Sequence, residues 1–224
     1  MADGKDGTMF SWTNQIGFSQ PHSKVAELTR AHHPLLINIQ GLPGSGKTHL
    51  LHELKRILPA KDYAFFETWK IISLLSHGLD NFVSFMPHNK LRMRKDATVE
   101  IARDCTVVDK VGIATGYHYL WDEMGEGSQD IDTPVDTDAY DMVLWLQVPV
   151  EELADRRMSE PGTGRRALHT DEQKNTQFLG EWQDGERERL QKICGENNVQ
   201  FECIDVGTTT SEDVAELVRK KKGM

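Results

Sequence analysis

Residues Gly41-Leu42-Pro43-Gly44-Ser45-Gly46-Lys47-Thr48 fit the pattern GxxxxGK[ST] at every required position. The flanking residues decide what this stretch belongs to. Leu35, Leu36, Ile37 and Ile39 form an apolar run before it, and Leu50, Leu51, Leu54, Ile57 and Leu58 follow at helical spacing. Strand, glycine loop and helix in that order is the context that makes the motif specific. Glycines let successive backbone N–H groups turn inward around phosphate oxygens, and the helix adds its N-terminal dipole. Gly41, Pro43, Gly44, Ser45, Gly46, Lys47, Thr48 and His49 are therefore the expected nucleotide contacts. Lys47 is expected on the β and γ phosphates and the Thr48 hydroxyl on magnesium, so the expected cofactors are ATP and Mg2+.

The alternation continues downstream. Tyr63–Phe66, Val111–Thr115, Met142–Val148 and Phe201–Val206 read as strands. Helices are predicted over Thr68–Leu75 (broken near Gly78), Leu91–Arg103, Val150–Met158, Asp171–Cys194 and Ser211–Lys221. Strands separated by helical patterns imply right-handed crossovers and a parallel sheet covered on both faces. The expected fold is α/β: a three-layer P-loop NTPase with about five parallel strands and a short arginine-bearing lid. Residues 1–33 are expected as an extension packed on a single domain at 34–224, with a short helix at Ser23–Ala31 and Phe10 and Trp12 docking.

Three further groups are candidates for chemistry. After the strand ending at Val148, Pro149 and the helix from Val150 deliver Arg156 and Arg157, followed by Gly162, Gly164, Arg165 and Arg166. Arginines on a glycine-flanked lid at about 156–172 would neutralise the charge of a transferring phosphoryl group and exclude water. Spacing does not choose between Arg156 and Arg157 or between Arg165 and Arg166, and the alternative is exposed arginines balancing nearby acids. Glu67 closes a strand, where it can act as general base or orient metal-bound water, or serve as an ordinary acid at a helix N-terminus. Lys90, Arg92, Arg94 and Lys95 crowd one helix; Arg94 is the candidate clamp for an anionic acceptor, against a plain solvated face.

Charge is regional. The chain of 224 residues carries −9, yet residues 111–155 hold eleven acids and no Lys or Arg. This argues against duplex nucleic acid and against a polynucleotide 5′-kinase, which needs a basic track. Cys105, Cys194 and Cys203 form no CxxC pair, and no apolar run reaches the 18 to 20 residues or so that span a bilayer, so a cytoplasmic protein without membrane contact is expected.

A small GTPase would add an Asn-Lys-x-Asp motif and a DxxG switch, both absent, and an AAA+ motor would need a longer chain. What remains is a compact phosphotransferase. On GLPGSGKT at Gly41–Thr48, LRMRKDA at Leu91–Ala97, GIATGYHYLW at Gly112–Trp121, TPVDTDAYDMVLWLQVP at Thr133–Pro149 and EWQDGERERLQKIC at Glu181–Cys194, the chain resembles the nucleoside monophosphate kinase-like P-loop superfamily. Within it, the likeness is to small AAA-type or zeta-toxin-like kinase-like proteins. The resemblance implies a kinase fold using ATP and magnesium on a small-molecule or nucleotide acceptor, and leaves the acceptor open. One departure stands out: the strand Val111–Thr115 runs into Thr115-Gly116-Tyr117-His118 where many kinases place an Asp. His118 is then an acceptor contact or a core histidine, and the competing function is a non-catalytic ATP-binding module that signals to a partner.

Overall fold

The computed structural model describes residues 34–116, 139–159 and 172–223. The elements are β1 Leu36–Gln40, α1 Lys47–Ile57, β2 Tyr63–Glu67, α2 Thr68–Leu75, α3 Leu79–Ser84, α4 Pro87–Val108, β3 Val111–Thr115, β4 Met142–Gln147, α5 Val150–Ser159, α6 Glu172–Glu196, β5 Gln200–Asp205 and α7 Ser211–Lys222. The expected extension 1–33, the acidic stretch 122–138 and most of the lid lie outside the described residues.

All five strands are parallel, in the order β2-β3-β1-β4-β5. The alternation of side chains along β1 separates two cores. Ile37 and Ile39 face α1 and α7, packing with Leu51, Leu54, Ile113, Leu144 and Val218. Leu36 faces the other way, with Ile101 and Cys105 of α4, and farther along that face Val143 and Trp145 of β4 pack against Leu179, Trp182 and Leu190 of α6. The result is the three-layer α/β arrangement expected.

Two contacts tie β4 to its surroundings. Leu36 N–H donates to the Asp141 carboxylate at 2.8 Å, and Asp141 N–H returns a bond to Leu36 O at 2.9 Å, which starts β1 and β4 in register. At the other end, buried Gln183 of α6 donates to Val148 O at 2.9 Å and accepts from Val148 N–H at 3.1 Å. A fully buried amide is thereby satisfied at the turn that launches α5.

The helix boundaries show where packing overrides local preference. α4 begins at Pro87 in the first helical position, where a missing N–H costs nothing, and runs past Arg103 to Val108. Cys105 carries it there by packing against Gly112 and Leu36, and Asp109 ends it with a left-handed φ of 51°. The short α3 has no strong periodic signal and was not expected. Cys105 and Cys194 are buried free thiols pushed up to about 11 by burial, whereas Cys203 is exposed. Among the described residues no helix is long and apolar enough to cross a membrane.

Candidate active site

The sheet order makes β1 a switch point, since β3 and β2 lie to one side and β4 and β5 to the other. Ligands of open parallel sheets sit beyond the strand ends at such a point. Here the glycine loop leaves Gln40 and turns into α1. Gly44 and Gly46 have φ of 97° and 92°, a region that residues with a Cβ rarely adopt, and Gly46 caps α1. The turn is closed by Ser45 N–H on Leu42 O at 3.0 Å. Lys47 curls over it, its Nζ donating to Gly41 O at 2.6 Å and Leu42 O at 2.9 Å. Ser45 Oγ is buried with no hydrogen-bond partner among the described residues. Thr48 and His49 are exposed on the first turn of α1. An ammonium over a glycine turn, a helix N-terminus and an unused buried hydroxyl fit a polyphosphate with its magnesium.

The α5 arginines approach this loop from the β4 side. Arg156 Nη1 lies 3.5 Å from Gly44 O while Nη2 pairs with Glu152 at 2.5 Å. Arg157 donates to Pro43 O at 3.3 Å, is only 1 % exposed, and lies 5.7 Å from the centroid of the Trp182 ring. The packing leaves no slack: a Cβ on Gly44 would stand 3.2 Å from Arg157 Cγ and 3.3 Å from Leu153 Cδ1. The pair left open by spacing thus separates into a buried arginine and a partly exposed one. Arg165, Arg166 and His118 lie outside the described residues.

From the β2 side comes Glu67. It is the last residue of β2, lies opposite Thr115 in the β2–β3 register, and precedes α2 as its N-cap. Lys70 Nζ donates to it at 2.6 Å and Trp69 Nε1 at 2.9 Å, and His52 Nε2 of α1 lies 3.4 Å away. Thr48 and His52 are one turn apart on α1, so contact with His52 sets the carboxylate over the helix face that carries Thr48. Burial acts to raise the Glu67 carboxyl, but the hydrogen bonds from Lys70, Trp69 and His52 outweigh it and hold the group below its ordinary range. It is an anion at neutral pH.

Among Lys90, Arg92, Arg94 and Lys95, only Arg94 is buried, at 6 % exposure. Cys105 and Ile101 sit level with Leu36 and Gly112, and α4 runs antiparallel to the strands. Arg94, two turns before Ile101, therefore lies about 10 Å along the helix at 1.5 Å per residue, toward the C-terminal ends of the strands. There it acts on Glu186 of α6.

Several polar residues at the strand ends were not anticipated. Asn38 and Gln40 are buried on the α4 face of β1, and a Cβ on Gly116 would run into both. Glu186 is 9 % exposed and accepts from Trp182 Nε1 at 3.3 Å; burial pushes its carboxyl up to about 7, with that bond and the charges of Arg189 and Arg94 pulling it back. His52 was accessible to a helical reading from Thr48. Nothing local in the sequence ties Glu186 to Arg94. Among the described residues no cluster of three His, Cys, Asp or Glu forms a metal site by itself.

Comparison with known proteins accords with this geometry. An AAA domain family model matches residues 40–174. Solved structures with a similar fold include shikimate kinase from Acinetobacter baumannii (14 % identity, TM-score 0.53, covering 85 % of this chain and 94 % of that one) and shikimate kinase from Bacteroides thetaiotaomicron (14 %, 0.55, 85 % and 99 %). Thymidylate kinase from Candida albicans aligns at 18 % identity with a TM-score of 0.48 over 85 % of this chain and 93 % of that one. No curated protein matches the sequence. With more than half of the chain inside the family match and a parallel sheet, glycine loop and helix layers in place, the chain belongs to the AAA domain family.

Proposed function

We propose that this chain is an ATP-dependent phosphotransferase that moves the γ-phosphoryl of ATP to a small-molecule or nucleotide acceptor. The observation that carries the reading is the approach of both α5 arginines to the phosphate loop, Arg156 toward Gly44 O and Arg157 toward Pro43 O. A cation at that position can neutralise charge that develops on a transferring phosphoryl group. ATP with Mg2+ supplies the transferable group when bound. The loop amides and Lys47 hold the phosphates, Thr48 offers its hydroxyl to the metal, and Arg156 neutralises charge developing on the transferring group. Glu67, kept ionised by its three donors, orients a metal-bound water or the acceptor hydroxyl. It is a poor general base, since an efficient base has a pKa near the working pH. Arg94 lies on the acceptor side, with Arg165, Arg166 and His118 as further candidates from the lid and the segment after β3.

The test is ADP release from ATP with a panel of nucleosides, nucleoside monophosphates and sugar acids. Release with at least one acceptor, abolished in Lys47→Ala, is expected; tight ATP binding without release for any acceptor would sink the reading.

A second reading rests on β3, which ends at Thr115 with Gly116 next, where an acid is usual. It makes the chain a non-catalytic ATP-binding module. Against it, Glu67 sits opposite Thr115 and offers a carboxylate from the adjacent strand. A partner complex lost in Lys47→Ala, with no transfer by the wild-type protein, would favour the module.

A further inference from the structure

Glu186 has no part in the chemistry above, yet it is a carboxylate buried to 9 % exposure where α6 meets the strand ends. Its surroundings form a continuous line. Arg94 of α4 acts on it from one side, and Trp182 Nε1, one turn earlier on α6, donates to it at 3.3 Å. The Trp182 ring, itself 5 % exposed, carries the Arg157 guanidinium over its face at 5.7 Å and Phe178 at 6.2 Å. Arg157 ends the line on Pro43 O, and its Cγ fills the space beside Gly44.

We propose that Glu186 is a positioning residue that couples the acceptor-side Arg94 to the phosphate loop, because it orients the Trp182 ring on which Arg157 rests. The proposal builds on the function above, in that the loop binds nucleotide phosphates and Arg94 faces the acceptor.

The coupling has a physical basis in charge and packing. Ionised Glu186 offsets the Arg94 charge and holds the indole N–H strongly; neutral Glu186 does neither as well. Tightly packed rings do not deform continuously, so a changed indole contact is felt at the guanidinium stacked on it. The charged groups facing Glu186 among the described residues are Arg94 from α4 and Arg189 from its own helix, with Arg157 of α5 beyond the Trp182 ring. Both neighbours favour the anion and burial opposes it, which leaves the group titrating at about 7. Phosphates on the loop load the turn that Arg157 braces at Pro43 O, so their arrival moves the Glu186 titration, and by reciprocity proton binding moves nucleotide affinity by the same factor.

The measurement is the indole N–H resonance of Trp182 in the full chain, assigned with Trp182→Phe and followed from about pH 5.5 to 8.5 with and without saturating ADP. The expected result is a titration near 7 whose midpoint moves by about 0.5 unit or more with ADP, matched by roughly a threefold change in ADP affinity between the two ends of that range. Glu186→Gln, which keeps an acceptor for the indole, should abolish the titration and reduce the affinity change to the part that ADP's own phosphate, ionising at about 6, contributes. A midpoint indifferent to bound ADP, or an affinity change as large in Glu186→Gln as in wild type, overturns the coupling while leaving nucleotide binding intact. Failure of ADP to bind at all would remove the proposed function and this coupling with it. The titration is read in the wild-type protein, with Trp182→Phe used only to assign the resonance, so failure of Glu186→Gln to fold does not protect the idea.

Discussion

Arg157 donates to the backbone carbonyl of Pro43 at 3.3 Å, so a side chain on α5 buttresses the glycine loop. Its neighbour Arg156 addresses the next carbonyl, Gly44 O, at 3.5 Å but stays one-third exposed and shares its charge with Glu152. The two arginines are consecutive in sequence and unlike in task. The buried one shapes the loop, and the exposed one is available to a phosphate.

Substitution separates these tasks. Arg157→Ala loses a charge-assisted hydrogen bond and leaves a buried cavity beside Trp182, and should cost about 2–4 kcal/mol in urea unfolding. Arg156→Ala loses an exposed ion pair and a long contact with Gly44 O, and should stay within about 1 kcal/mol of wild type. Phosphoryl transfer should nevertheless fall by about 10²-fold in Arg156→Ala, the loss typical of one donor to developing charge. Equal destabilisation of the two variants would refute the division.

Gly44→Ala tests the fit of α5 on the loop. The new Cβ would adopt a φ of 97° and stand 3.2 Å from Arg157 Cγ and 3.3 Å from Leu153 Cδ1. Left-handed backbone costs a residue with a side chain roughly 1–2 kcal/mol, and the contacts add to it. A fall in stability of about 2 kcal/mol is expected, together with weaker ATP binding by calorimetry. Wild-type affinity in this variant would show that the loop tolerates displacement of α5.

Gly116→Ala probes the strand ends. Its Cβ would collide with the Asn38 and Gln40 side chains, and Asn38 Oδ1 is already buried without a hydrogen-bond partner among the described residues. Relief requires the two buried amides to turn aside, or β3 to shift against β1 where Gly116 N–H bonds Ile39 O at 2.9 Å. Destabilisation of about 2–4 kcal/mol is expected in urea unfolding. A variant as stable as wild type would mean that these amides lie elsewhere.

Much of this could be read without coordinates because the signals were local. GxxxxGK[ST] between Ile39 and Leu50 placed the loop, and the apolar runs at Val111 and Met142 marked the two strands flanking β1. The short α3 and the last turn of α4 were not legible, since Cys105 is held helical by packing on Gly112, which is a tertiary contact. Spacing could not divide Arg156 from Arg157, because adjacent positions on a helix differ in burial only once a neighbour such as Trp182 is known. Glu186 looks like one of several acids on α6, and only the approach of α4 with Arg94 makes it distinctive.

Glu67 gives a pH prediction whose sign is fixed by its surroundings. Its folded carboxyl lies below the ordinary value: burial raises it, and the bonds from Lys70, Trp69 and His52 prevail. A depressed carboxylate contributes stability that is fully present above its unfolded pKa, about 4.3, and is lost as pH falls through the lower folded value. Wild type should therefore exceed Glu67→Gln in melting temperature by a constant margin from about pH 5 to 8, with the margin closing below about pH 4. Catalysis follows the same charge: Glu67→Gln should lower transfer by a factor independent of pH between about 5 and 8. Lys70→Ala removes the shortest of the three donors and should move the acid loss of transfer to higher pH. An acid limb in kcat/KM between pH 5 and 7 that disappears in Glu67→Gln would instead make Glu67 a general base titrating near neutrality, contrary to its three-donor environment.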